Sequence, residues 1–359
     1  MMQTTGVFVP RGTDALFHFH FAKCGLESRI TVYNDVAAFR NSQHVKKVAC
    51  YQMPFPFQDE FYQTIADLAV YCDHILILCS ELHGRTVDFI RRNDRANISY
   101  FICGALNFDM QHSAIHPWHD WFITTVHFYK YVQPHFLDQL DAYSEKPRVF
   151  DILLGTQKNH RTVVYNHVKT KGLDDQVIMT YFNKPTLTQT FDVDDTDEWI
   201  WPEGYTAVKD PNTNWTVTIV DYQGHRMSLS QIIPTQVYNQ TAYSIVAETN
   251  AENDWVFFTE KIVKPILGRR LFIVLGNRYY LQALRDLGFK TFDSIIDESY
   301  DNAEFSRPEV AMVQLDWLCS QPQAEVLAKI KPICDHNYNV MMNTDWYEEY
   351  FKSKFVTYF

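Results

Sequence analysis

The chain has 359 residues, of which 46% are apolar and 15% aromatic, which suffices for two hydrophobic cores and excludes a disordered or low-complexity protein. Its formal net charge of −11 excludes a general nucleic-acid or anionic-membrane surface, because such partners are met by stripes of lysine and arginine. Seven cysteines, at positions 24, 50, 72, 79, 103, 319 and 334, are odd in number and lack paired metal spacing, so free thiols in a reducing compartment are expected.

No leader-like segment opens the sequence and no apolar run approaches spanning length, which predicts a protein without a membrane span in the cytoplasm. The sequons at Asn97, Asn214 and Asn239 are then chance occurrences. In chain order, apolar runs at 7–9, 30–33, 47–51, 74–79, 99–103 and 122–129 read as strands, with helices over 57–71 and 86–92 between some of them. This alternation predicts a parallel sheet covered by helices. The polar stretch 134–147, with a short helical centre, marks the expected boundary between an N-terminal domain, 1–140, and a C-terminal domain, 148–359, that ends in a helical tail.

The second half repeats the alternation, with strands at 149–154, 177–181, 244–247 and 272–275. Residues 186–234 fit neither repeat; segments 215–221 and 226–230 suggest an inserted hairpin around Gln223-Gly224. The acidic run Asp192 to Asp197 contains Asp-X-Asp, a metal-site pattern, but no buried strand precedes it and a solvated acidic loop is the simpler reading.

The chemistry concentrates around Thr259-Glu260-Lys261. A glutamate accepts from both hydroxyls of a ribose and the adjacent lysine neutralises a diphosphate, so the pair meets two needs of a nucleotide-sugar site. The bland alternative is a solvated pair of charges at a helix start. Upstream lies the short strand 244–247, ending in Glu248, Thr249 and Asn250; downstream, Thr259 caps a helix through Leu267, and the buried strand 272–275 follows. Strand, loop, helix N-terminus and strand is the order that holds phosphates at the carboxyl edge of a parallel sheet. A second candidate follows strand 149–154, where Gly155 and the run Gln157-Lys158-Asn159-His160-Arg161 open an amphipathic segment through Val168. Basic residues oppose the helix dipole in a first turn, which favours an anionic ligand there over a plain surface arginine.

With these residues the segment 243–301 resembles the donor-binding domain of the α1,3-fucosyltransferases, glycosyltransferase family ten, whose signature runs Phe-Glu-Asn, a loop, Thr-Glu-Lys and an apolar strand ending near glycine. The counterparts are Glu248, Asn250, Thr259-Glu260-Lys261 and Phe272 to Gly276. The resemblance implies that Glu260 binds ribose, that Lys261 and Arg161 contact the donor diphosphate with Lys158 a weaker candidate, and that the fold is GT-B, two facing Rossmann-like domains with a donor cleft. It further implies inverting transfer from GDP-fucose to a glycan or glycoconjugate hydroxyl, with no metal or other cofactor. The segment 284–298 is similar to glycosyltransferases of viral and microbial type. The sequence departs from the signature where Ala247 and Thr249 replace phenylalanine and asparagine, where Phe257 replaces a tyrosine, and in a longer loop between Glu248 and Lys261.

The N-terminal half must then supply the acceptor site and the base. The family's glutamate element finds only Tyr51-Gln52-Met53-Pro54, and an amide cannot accept a proton. Ser80-Glu81-Leu82-His83-Gly84 follows strand 74–79 directly, which makes Glu81 the candidate base and His83 its neighbour; a helix cap and a surface histidine are the alternative. His112, His116 and His119 have helical zinc spacing, but Pro117 interrupts the helix, so an aromatic, polar acceptor-side loop is the preferred reading; Trp118 and Trp121 there either stack on sugar faces or simply pack, as most tryptophans of so aromatic a chain do. A catalytically silent nucleotide-sugar or glycan binding protein is the alternative to an enzyme.

Overall fold

The computed structural model describes residues 4–53, 60–80, 84–106, 109–182, 206–208, 219–222, 225–251 and 255–359. Glu81, His83 and the acidic run Asp192 to Asp197 lie outside them. Contacts divide the chain into one unit of residues 1–120 with 345–359 and a second of residues 121–344.

Unit 1 carries a six-stranded parallel sheet of β1 (Thr5–Phe8), β2 (Ile30–Tyr33), β3 (Lys47–Gln52), β4 (His74–Cys79), β5 (Ile98–Ile102) and β6 (Ala114–Pro117), in the order β2-β1-β3-β4-β5-β6. The apolar run of β4 is buried throughout Ile75 to Cys79, as a central strand covered on both faces requires. Strand β6 has no clear signal in the sequence, being only four residues long and partly exposed.

Unit 2 carries a four-stranded parallel sheet of β7 (Arg148–Thr156), β8 (Val177–Phe182), β12 (Thr241–Ala247) and β13 (Phe272–Leu275), in the order β13-β12-β7-β8. Between β8 and β12 lie β9 (Thr206–Val208), β10 (Ile219–Tyr222) and β11 (His225–Ser228), antiparallel in the order β11-β10-β9, so the expected hairpin strands are present. Both units are thus α/β with parallel sheets, as the alternation predicts.

The run 122–129, expected as a strand, is instead the helix Asp120–His127 continued by a wider turn over Phe128–Val132. Its buried residues Phe122, Ile123, Val126 and Tyr129 recur at helical spacing, and the β-branched and aromatic composition that suggested a strand is overridden by packing. The Tyr129 hydroxyl donates to the Gln231 carbonyl at 3.2 Å and accepts from Ile233 N at 2.7 Å, which ties this helix into unit 2. The division therefore falls at residue 120, ahead of the polar stretch 134–147.

The helical tail, expected with the second domain, belongs from Asp345 to unit 1. His20 Nδ1 and the Tyr347 hydroxyl are 3.0 Å apart, His116 Nε2 and the Tyr358 hydroxyl 2.7 Å, and Phe351 and Phe355 are fully buried. Trp118 packs edge-on against His20 and tilted against Phe351 and is 1% exposed, so it is core and not a stacking surface. All seven cysteines are unpaired, and no helix among the described residues is long and apolar enough to cross a membrane.

Candidate functional site

In unit 2 the chain passes from β7 to its neighbour β8 and then returns to the other side of β7 as β12. The winding reverses between β7 and β12, and ligands of open parallel sheets bind outside the strands' carboxyl ends at such a point. The donor-side residues singled out in the sequence meet there.

On the β7 side, Lys158 is the extended N-cap of the helix Asn159–Lys171, and its side chain makes no capping bond. Arg161 in that first turn is 5% exposed, and its Nη2 donates to the Ala247 and Glu248 carbonyls at 3.4 and 3.2 Å, reaching from the β7 helix to the end of β12. Gly155 makes room for it: a Cβ there would stand 3.2 Å from Arg161 Nη1. Burial lowers the guanidinium to about 10, against the pull of Glu248 and Glu260, so it stays charged at neutral pH. His160, beside it, is pushed down to about 3 by burial and by Arg161; as a neutral ring it donates from Nε2 to the Glu248 carbonyl at 3.0 Å.

On the β12 side, Glu248 is fully buried and spends both carboxylate oxygens internally. Oε1 accepts from the Tyr280 hydroxyl at 2.6 Å and Thr259 N at 3.4 Å; Oε2 accepts from the Thr259 hydroxyl at 2.6 Å and Thr249 N at 3.3 Å. Burial raises its pKa and Lys261 draws it back. Tyr280 reaches this carboxylate because Gly276 has no side chain; a Cβ there would fall 2.5 Å from the Tyr280 ring. The Thr259 hydroxyl, fixed by Glu248, accepts from Lys261 N at 3.2 Å and caps the helix Glu260–Leu267, as the sequence predicts.

Glu260 is 4% exposed and paired with Lys261 Nζ at 2.7 Å. Burial opposes its ionisation, but Lys261 and Lys264 outweigh that and hold the carboxyl below its usual range. Lys261 Nζ also donates to Thr249 Oγ1 at 3.2 Å, while Lys158 Nζ donates to the Thr249 carbonyl. Asn250, the next residue, is half-buried.

Lys158, Arg161 and Lys261 therefore converge on Glu248-Thr249, beside the N-terminus of the helix Asn159–Lys171. An anion with several oxygens fits this set of donors. His160, Thr249 and Tyr280 complete it and were not singled out from the sequence: His160 and Thr249 stood inside the quoted runs, and Tyr280 carried no signal. Among the described residues no group of three histidines, cysteines or carboxylates is arranged to hold a metal. His116 and His119 are taken up by packing against Tyr358 and Tyr350.

No protein-family model matches the chain, and no curated protein matches it. Among solved structures, an α1,3-fucosyltransferase is similar at 12% identity and a TM-score of 0.35, over 93% of this chain and 90% of that one. A UDP-forming α,α-trehalose-phosphate synthase from Burkholderia xenovorans is similar at 10% identity and a TM-score of 0.38, over 96% of this chain and 78% of that one. Scores this low do not establish a shared fold.

Proposed function

We propose that the chain is a nucleotide-sugar dependent glycosyltransferase of GT-B type, whose unit 2 binds the donor and whose unit 1 binds a glycan or glycoconjugate acceptor. The observation that carries this reading is the convergence of Lys158, Arg161 and Lys261 at the sheet's switch point, beside a carboxylate, Glu260, suited to ribose hydroxyls. Three side-chain cations and a helix N-terminus supply the charge that a departing diphosphate needs, so transfer proceeds without a metal. Glu248 holds the helix start in place and does not itself meet the donor. Fucose from GDP-fucose, transferred with inversion, is the first donor to test, on the strength of the signature residues.

Inversion needs a base on the acceptor side, and β4 ends at Cys79, two residues ahead of Glu81. A panel of nucleotide sugars, with and without glycan acceptors, tests the reading through release of nucleoside diphosphate. Turnover with one donor, lowered about a hundredfold in Glu81→Gln at unchanged donor affinity, is the expected result. Donor binding without any turnover favours the silent binding protein instead, a reading motivated by Gln52 at the carboxyl end of β3, beside the switch point between β1 and β3.

A further inference from the structure

Two ammonium groups repel, yet both lysines of the clamp end on one residue. Lys158 Nζ donates to the carbonyl of Thr249 and Lys261 Nζ to its hydroxyl, at 3.2 Å for the latter. The other two acceptors described for Lys261, Glu260 Oε1 at 2.7 Å and Thr259 Oγ1 at 3.5 Å, both belong to the start of its own helix. Thr249 Oγ1 is thus the acceptor that draws Lys261 across towards the end of β12 and towards Lys158. The backbone of Thr249 is fixed in turn, since its N–H donates to Glu248 Oε2 at 3.3 Å and Glu248 is anchored by Thr259 and Tyr280.

We propose that Thr249 is a positioning residue that sets the anion specificity of this site: it holds Lys158 and Lys261 as a pair in the unliganded protein, and a diphosphate takes over both bonds on binding. The inference rests on the reading of the site as a donor diphosphate clamp. Two separate acceptor atoms give two anchoring points, and a diphosphate presents one phosphate to each, whereas a single phosphate satisfies one and leaves the other ammonium on its internal partner. Pre-setting both side chains removes part of the ordering cost at the moment of binding. Without the hydroxyl, Lys261 folds back onto Glu260 and Thr259, and the advantage of two linked phosphates over one is lost while the affinity for one is kept.

Calorimetry with inorganic diphosphate and inorganic phosphate, on the full chain, tests this in Thr249→Val, Thr249→Ala and Thr249→Ser. The wild type is expected to prefer diphosphate, and the preference to fall by about tenfold in the valine and alanine variants, the upper end of the cost of ordering one long side chain on binding, with monophosphate affinity unchanged. Serine, which keeps the hydroxyl, restores the wild-type ratio. A merely structural role would weaken both anions together. A wild type that binds neither anion overturns the clamp itself and this proposal with it. A wild type that prefers diphosphate, with the same ratio in the valine or alanine variant as a melting curve shows to be folded, overturns the role of Thr249 and leaves the clamp standing.

Discussion

Two buried arginines stand on opposite halves of the unit 2 sheet, and they are held in different ways. Arg270, just ahead of β13, is 3% exposed and donates to the carbonyls of Tyr238, Thr241 and Tyr243, to the hydroxyls of Thr241 and Ser244, and to Asp151 Oδ1 at 2.9 Å. Arg161, at the carboxyl ends, is 5% exposed and is described bonding two neutral carbonyls at 3.2 and 3.4 Å. Arg270 is ion-paired with Asp151 as well as bonded to neutral groups, and a buried charge held in that way serves to join strands. On the function proposed above, Arg161 is the ligand-binding cation of the two.

The comparison is tested most severely by removing Arg270. Arg270→Ala leaves Asp151 buried beside Ser244 without its counter-charge, and a loss of about 3–5 kcal/mol in urea unfolding is expected. A loss below about 1 kcal/mol would mean that burial and full bonding do not mark a structural arginine here.

His20 in unit 1 measures the effect of burial on a group with no counter-charge of this kind. It is 3% exposed, packed among Trp118, Tyr347, Phe351 and Phe355, with Cys24 on the Tyr347 hydroxyl and Lys352 and Glu348 beyond; burial pushes it down to about 4. Because the folded value lies below the unfolded one, near 6.5, its contribution is present above pH 6.5 and is lost as pH falls to about 4. The expected loss is about 3 kcal/mol across that window, and His20→Gln should flatten this part of the stability profile. An unchanged profile would show that His20 is protonated without cost.

Arg161→Ala and Lys158→Ala sharpen the other side of the comparison. Each should weaken nucleoside diphosphate binding by about 1.5–3 kcal/mol in calorimetry, with a far smaller effect on unfolding than Arg270→Ala. If Arg161→Ala unfolds the protein as readily as Arg270→Ala, the two arginines have the same job. The smallest effect expected is none at all: on the proposed function side-chain cations neutralise the diphosphate, so saturating EDTA should leave turnover unaltered. Loss of activity restored by manganese would shift attention to the Asp192 to Asp197 run.

Much of this architecture is legible in local spacing. The run His74 to Cys79 is six residues long and almost continuously apolar, a length that favours a buried strand over a helix, and Thr259 before Glu260 reads as a helix cap because its hydroxyl can reach an amide two residues on. The run 122–129 defeats the same approach: its composition favours a strand, and only its packing and the bonds of Tyr129 with Gln231 and Ile233, more than a hundred residues away in sequence, make it a helix of unit 2. The return of Asp345 to Phe359 to unit 1 is equally non-local, since it depends on His20, His116 and Trp118 as partners.

The sequence by itself determined the α/β class, the parallel strands and the residue types able to bind a diphosphate, because hydrophobic period and capping chemistry act over a few residues. Tertiary structure alone decided that Arg161 reaches from one strand end to the next, that Glu248 is spent on Thr259 and Tyr280, and that two lysines about a hundred residues apart meet on Thr249. Buried polar groups must find partners wherever the fold supplies them, and that choice is written in no local pattern.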